Sequence, residues 1–201
     1  MIPSEYKPQT VEDFIGTARR AALMLQKGFA LADGAPLKWM ILGKPGIGKS
    51  ALVDWFLDYI DVPKINIEEF NGTSFKVEQV DSLCESFHYY SMFDSYKVIR
   101  IEEVDKVPRV AQVRLLTLLD KMGKNKKRVL FITTSNCQPE ELEERFHSRF
   151  QVFPLEAPSA KEIAELIDRH WDIDNARHIA EFACGNVRQA LLDVQTKLMQ
   201  V

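Results

Sequence analysis

The chain has 201 residues, 46% of them hydrophobic and 27% charged, with a formal net charge of −3. That is the composition of a globular protein with a real core, and the slight acidity excludes a nucleic-acid footprint spread over the whole surface while leaving room for a local basic patch. No apolar run approaches the ~18 residues that cross a bilayer, and the three scattered cysteines, Cys84, Cys137 and Cys184, form neither a C-x-x-C pair nor a disulfide framework.

The N-terminal MIPSEYKPQT lacks the apolar centre of a signal peptide, so an intracellular, reducing setting is expected, cytoplasmic or nuclear, that of a virus-infected host cell included. WMIL (39–42) reads as a strand running into GKPGIGKS (Gly43 to Ser50), and SALVDWFLDYI (50–60) as the helix that follows. PKINIEEF (63–70) is a second strand, and residues 77–93 have helical spacing. The aromatic residues Phe87, Tyr89, Tyr90, Phe93 and Tyr96 are read as packing against the sheet, and Trp39 and Trp55 as core. KVIRI (97–101) is a third strand, VAQVRLLTLLDKM (110–122) an amphipathic helix, RVLFITT (128–134) a fourth strand and QVFPL (151–155) a fifth. Between the last helix and the fourth strand, KMGKNKKR (121–128) has five basic residues and no acid; such runs are usually solvated loops. Strands separated by helices of this length form a parallel sheet, so the fold class is α/β.

After Pro158 the pattern becomes purely helical. SAKE (159–162) reads as a capping box with Ser159 at the cap and Glu162 three residues on. Residues 174–183 and 186–199 are two more helices, separated by Gly185. The four histidines, His88, His147, His170 and His178, have no ligand spacing.

GKPGIGKS fits the phosphate-loop pattern G-x-x-x-x-G-K-[ST]. Glycines 43, 46 and 48 let successive N–H groups turn inward around phosphate oxygens, and the following helix adds its positive N-terminal end. Lys49 would reach the β- and γ-phosphates, and Ser50 would offer a hydroxyl to magnesium. Glu102 and Glu103 directly follow the third strand. The first would hold magnesium, partly through water, and the second would polarise the attacking water, because phosphoryl transfer depends on positioning and charge neutralisation.

An ordered set of further motifs resembles the AAA+ ATPases, and among them the small subunits of DNA polymerase clamp loaders. YKPQTVEDFIG (6–16) resembles the N-terminal box along the adenine, NGTS (71–74) the N-G/A-S-D element, and EEVDKVPRVAQVRLLTLLD (102–120) the D-E-A-D segment and its helix. HSRF (147–150) resembles the Ser-Arg-Cys box and GNVRQALL (185–192) the lid motif. The resemblance implies a P-loop parallel five-stranded sheet flanked by helices over 1–156 and a helical lid over 157–201. It implies ATP and Mg2+ as cofactors, held by Tyr6, Pro8, Ile15 and Gly16 of the box, by loop residues Gly43, Lys44, Pro45, Gly46, Ile47, Gly48, Lys49, Ser50 and Ala51, and by the lid arginine, Arg188. Asn136 resembles the first sensor, with Ser135 and Thr134 as alternatives. Arg149 resembles the arginine finger that acts on a neighbouring subunit's nucleotide, with Arg145 as a rival. Lys106, Arg109 and Arg114 are candidate contacts to DNA backbone.

The chain departs from the family at several places. Glu102 stands where aspartate is usual, Arg100 interrupts the strand before it, and Phe150 replaces a cysteine. A charge inside a strand must be paired or lie near a sheet edge. The sequence stops at Val201, before the helical collar of clamp-loader subunits, as a truncated chain or a naturally short one would. The expectation is an ATP-driven motor subunit working with other AAA+ subunits, a sliding clamp and primed DNA. A helicase loader or other replication ATPase and a poorly hydrolysing scaffold subunit are the alternatives, with a small-molecule kinase a distant further one.

Overall fold

Five strands build one sheet in the order β2-β3-β4-β1-β5: β1 (Leu37–Leu42), β2 (Ile67–Asn71), β3 (Lys97–Glu102), β4 (Val129–Ser135) and β5 (Gln151–Pro154). The pairs β1–β4, β2–β3 and β3–β4 are parallel. The helices are α1 (Gly16–Ala32), α2 (Lys49–Tyr59), α3 (Val77–Ser86), α4 (Arg109–Lys124), α5 (Glu144–His147), α6 (Ala160–His170), α7 (Ala176–Phe182) and α8 (Val187–Leu198). The computed structural model describes residues 2–86, 95–124, 128–137 and 141–200. The helical spacing expected over 77–93 is therefore followed only to Ser86. Phe87, His88, Tyr89, Tyr90 and Phe93, and Lys126 and Lys127 of the basic run, lie outside the described residues.

The chain divides into two compact units: Met1–Gln26, Gly43–Phe56 and Pro154–Val201 form one, Lys27–Leu42 and Leu57–Phe153 the other. The second unit holds the sheet. Every residue of β4 is buried, as parallel strands covered on both faces must be. Met40, Ile99, Ile101 and Phe131 from the strands meet Leu83, Leu115, Leu118, Leu119 and Phe146 from α3, α4 and α5 in one apolar core. Trp39 is 1% exposed, and Tyr96 is buried with its hydroxyl donating to the Ala35 carbonyl at 3.1 Å, so both pack as their sequence predicts.

Arg100 is accommodated in both ways a strand charge can be. β3 lies beside the edge strand β2, where Glu69 is in register with Arg100. The guanidinium, only 9% exposed, donates to Glu69 at 3.2 Å and to Glu102. Lys97 at the start of β3 pairs likewise with Glu68 of β2 at 2.8 Å. The acidic edge strand thus neutralises the basic residues of its neighbour.

In the first unit, α6, α7 and α8 close around Ile163, Ile167, Ile179, Ala180, Ala190 and Val194, with Tyr6 and Ile15 against the cluster. Trp55 is also buried here and donates to the Gln9 carbonyl at 3.2 Å. The expected capping box of α6 is present: Ser159 Oγ accepts from Glu162 N–H and Glu162 Oε2 from Ser159 N–H.

The structure departs from the sequence expectation at three elements. Gly16–Ala32 forms a 17-residue helix and Glu144–His147 a short one in stretches for which the sequence predicts no element. The stretch read as a strand from 63 begins instead with a 3-10 turn, Lys64–Asn66, and the strand starts at Ile67, because Pro63 supplies no N–H to a ladder and the Asn66 amide closes the turn onto the Pro63 carbonyl at 2.8 Å. Replacing the helix cap, Ser159→Ala, is expected to lower stability by about 1 kcal/mol, read as a shifted midpoint in urea denaturation.

Candidate functional site

In the first unit the phosphate-loop sequence folds as a glycine turn at the start of α2. Gly46 and Gly48 have φ of +80° and +99°, a region L side chains avoid, and Leu52 N–H closes the first helical turn on the Gly48 carbonyl at 2.9 Å. Lys49 is 8% exposed, and its Nζ donates to the carbonyls of Gly43 at 2.7 Å and Lys44 at 2.9 Å. Its charge is held over the loop by the loop's own backbone. Ile47 is buried and anchors the turn, whereas Lys44 and Pro45 are exposed and Ser50 and Ala51 are partly buried.

The lid sequence reaches this loop. Arg188 N–H donates to the Gly46 carbonyl at 3.0 Å. The Asn186 side chain caps α8 by accepting from Gln189 N–H at 3.1 Å, and it lies so close over Gly46 that a Cβ there would sit 2.0 Å from its Oδ1. The Arg188 side chain itself is exposed. Asn186 was not singled out in the sequence, although its place after Gly185 at a helix start is an N-cap signal.

The N-terminal box belongs to the same unit. The Tyr6 ring stacks against His170 and Trp171, and its hydroxyl lies 3.0 Å from His170 Nε2. Burial, with Asp13 nearby, pushes the Tyr6 phenol up to about 12. Pro8 is partly buried, Ile15 packs on the α6–α8 cluster, and Gly16 opens α1 at φ +57° beside Glu162.

In the second unit the candidate carboxylates lie where β3 stops. Glu102 ends the strand, and one of its oxygens accepts from Arg100. Glu103 follows in the left-handed region, φ 51° and ψ 50°, and its N–H donates to Thr134 Oγ1 at 3.2 Å. A non-glycine residue in that region is a strained position that its surroundings must enforce. They do: the Gly72 position is so close that a Cβ there would lie 2.0 Å from the Glu103 carbonyl oxygen. Asp105, its side chain 6% exposed, accepts from Ser135 Oγ at 3.2 Å and from Asn136 N–H at 3.0 Å. The three sensor candidates are thereby divided: Thr134 and Ser135 spend their hydroxyls on β3 and its exit, and Asn136 is the first residue beyond β4.

Arg149 lies in the second unit as well, 28% exposed, paired with Asp120 at 2.7 Å. Phe150, in place of the family's cysteine, is buried against Phe131 and Phe146. Of the candidate DNA contacts, Lys106 lies 3.5 Å from Asp105, Arg114 lies 3.0 Å from Asp81, and Arg109 is exposed at the start of α4.

No three His, Cys, Asp or Glu side chains cluster as a metal site among the described residues. A magnesium ion held with nucleotide phosphates needs only one or two carboxylates and a hydroxyl, all hard oxygen donors. Ser50 in the first unit and Glu102 in the second are each of that chemistry, so the donor types fit, and one Glu102 oxygen is already engaged by Arg100.

The family model described as "ATPase family associated with various cellular activities (AAA)" matches residues 39–155. The chain is 24% identical over 97% of its length to the probable replication factor C subunit 5 of Dictyostelium discoideum, of which it spans 58%. Its fold is similar to the Thermotoga maritima RuvB Holliday junction branch migration motor, with a TM-score of 0.75 at 18% identity, covering 96% of this chain and 65% of that one. Domain III of the Thermotoga maritima replication initiation protein DnaA is also similar, with a TM-score of 0.65 at 21% identity, over 92% of this chain and 85% of that one. No helix among the described residues is long and apolar enough to cross a membrane.

Two substitutions test this geometry. Gly46→Ala forces an L residue into a left-handed turn, roughly 1–2 kcal/mol, and displaces the Asn186 cap, about 1 kcal/mol more. It is expected to lower urea stability and to weaken binding of a fluorescent ATP analogue more than about tenfold. Asp105→Ala leaves the Ser135 hydroxyl and Asn136 N–H without their acceptor and is expected to cost about 1–3 kcal/mol of stability in the same assay.

Proposed function

Because the chain belongs to the AAA family of ATPases, whose model covers residues 39–155, we propose that it binds and hydrolyses ATP as a motor subunit of a DNA replication clamp loader. In this reading it works in an oligomer with other AAA+ subunits, intracellularly, on primed DNA and a sliding clamp. The observation that carries the reading is the phosphate loop itself: positive-φ glycines at a helix start, a buried lysine held over them, and the first turn of α8 docked on Gly46. A loop that merely turned the chain would need none of the last two. The similarity to a replication factor C subunit along 97% of this chain supports the choice of clamp loader within the family.

Each residue then has a role. Lys49 exchanges its loop carbonyls for the β- and γ-phosphates. Backbone N–H groups from Gly46 to Ser50 hold the phosphate oxygens, and Tyr6, Pro8, Ile15 and Gly16 line the adenine. Magnesium, when bound through Ser50 and Glu102, neutralises phosphate charge. Glu103, fixed by its backbone bond to Thr134, orients the attacking water, and Asn136 reads the terminal phosphate. Arg188 serves the same phosphate from the lid, and Arg149 serves a neighbouring subunit's. Lys106, Arg109 and Arg114 meet DNA phosphates, a contact blind to sequence and weakened by salt.

One observation favours a second reading, a nucleotide-binding scaffold that turns over slowly: the Glu102 carboxylate is shared with Arg100. The steady-state ATPase rate as a function of protein concentration, with and without primed DNA, decides between them. The motor reading predicts a specific rate that rises with protein concentration and with DNA, and a Glu103→Gln variant that binds ATP but loses roughly 10²-fold or more in turnover. ATP binding with a flat, near-zero rate would establish the scaffold, and stimulation by a helicase in place of clamp and DNA would establish a helicase loader.

A further inference from the structure

Arg149 is more tightly held than an exposed arginine needs to be. Its Nε donates to Asp120 Oδ1 at 2.7 Å and its Nη2 to Asp120 Oδ2 at 3.2 Å, a side-on bidentate pair, while Nη1 donates to the Arg145 carbonyl at 2.6 Å. Three of the guanidinium's five N–H donors are thus engaged. One N–H on Nη1 and one on Nη2 remain, and these two nitrogens are a pair with which an arginine meets two oxygens of a phosphate.

The backbone beneath is fixed equally well. Gln112, 3% exposed on α4, donates to the Val107 carbonyl at 2.9 Å and accepts from Glu143 N–H at 3.1 Å. Glu143 in turn caps α5 by accepting from Phe146 N–H at 2.9 Å. Phe146 and Phe150, on either side of Arg149, are buried against each other with ring centroids 5.1 Å apart. The chain carrying Arg149 is therefore anchored to α4 at Gln112, and its side chain is anchored to the same helix at Asp120, eight residues or about two turns further on.

We propose that Asp120 is a positioning residue for Arg149, presenting the two outer N–H groups of its guanidinium to an anionic phosphate oxygen carried by a second AAA+ subunit. The proposal rests on the motor reading above and adds the group that aims the finger. An ion pair whose acid is 54% exposed contributes little to stability, so three simultaneous restraints on one partly exposed guanidinium serve its direction. Arg145 has a different part: its carbonyl is one of the restraints, and the residue is exposed.

The test uses Asp120→Ala, Asp120→Glu and Arg149→Ala in the full chain, assayed for ATPase rate, KM for ATP and thermal melting. Subunits are also mixed: a Lys49→Ala chain, which supplies a finger but holds no nucleotide, is added to an Arg149→Ala chain, which holds nucleotide but has no finger. The expected result is that Asp120→Ala lowers kcat by about ten- to a hundredfold, as misaimed catalytic groups do, with KM and melting unchanged. Asp120→Glu recovers part of the rate. The Lys49→Ala chain restores turnover to Arg149→Ala, and a Lys49→Ala/Asp120→Ala chain restores less. A rate that rises in Asp120→Ala would overturn the proposal by showing that Asp120 withholds the finger, and an unchanged rate would reduce the contact to a surface pair. A wild-type chain without turnover at any concentration, with or without DNA, would overturn the motor reading and this proposal with it; wild-type turnover with an indifferent Asp120→Ala overturns this proposal alone.

Discussion

The β3–β4 ladder is the constraint on which the chemistry of the second unit depends. A parallel pair has an evenly spaced register, and here Ile101 opposite Thr133 is the last pair of the ladder. Beyond that point the two chains stay joined by side chains. Thr134 takes the Glu103 N–H, and Asp105 takes the Ser135 hydroxyl and the Asn136 N–H. On the other side, β2 exits through Gly72, where only hydrogen fits beside the Glu103 carbonyl. The left-handed backbone of Glu103 is held between the ends of β2 and β4. The polar bonds there are part-buried, where a bond left unmade costs more than at the open surface.

In the first unit a comparable economy joins the phosphate loop to the lid. The Gly46 carbonyl receives an N–H from α8, and the residue that caps α8 occupies the space a side chain at 46 would need. Loop shape and the position of that helix end are therefore one variable. Lys49, curled over the carbonyls of Gly43 and Lys44, keeps the loop's negative ends covered by its ammonium. A phosphate that draws the ammonium away would release the loop carbonyls, and the lid helix bonded to Gly46 would feel the change.

Much of this was legible in the sequence because it is written locally. The phosphate loop, the apolar runs of β1, β3 and β4, the periodicity of α4 and the Ser159–Glu162 box are short patterns with one physical reading each, and the structure places all of them. α1 was not legible: GTARRAALMLQKGFALA has good helix formers, but Leu23, Met24 and Leu31 lie exposed outside its buried face and blur the pattern, and it holds a glycine at 28, where the Trp39 ring lies 3.1 Å from where a Cβ would be. The second strand started late because a proline and a buried asparagine favoured a turn. At the site, the residue types carrying the chemistry were visible, and the groups that hold them were not. Asp105 stands inside the 102–120 motif without a distinguishing mark, Gln112 is visible only as half of an Ala-Gln pair whose bond to Glu143 N–H has no local signal, and Asp120 is 29 residues from the arginine it grips. Side-chain pairing across such separations leaves no trace in periodicity or composition.

Arg100 and Glu102 carry a consequence for how this chain can change. Shortening Glu102 to the aspartate usual in the family withdraws a carboxylate from a guanidinium that is nine-tenths buried, and replacing Arg100 with an apolar residue leaves Glu102 without its cation. After the first step Arg100 keeps only Glu69, at 3.2 Å across the ladder, and after the second Glu102 turns its carboxylate to solvent, to which it is already 32% exposed. The two changes made together are expected to cost less than the sum of each alone, as neighbouring charges that share a partner do.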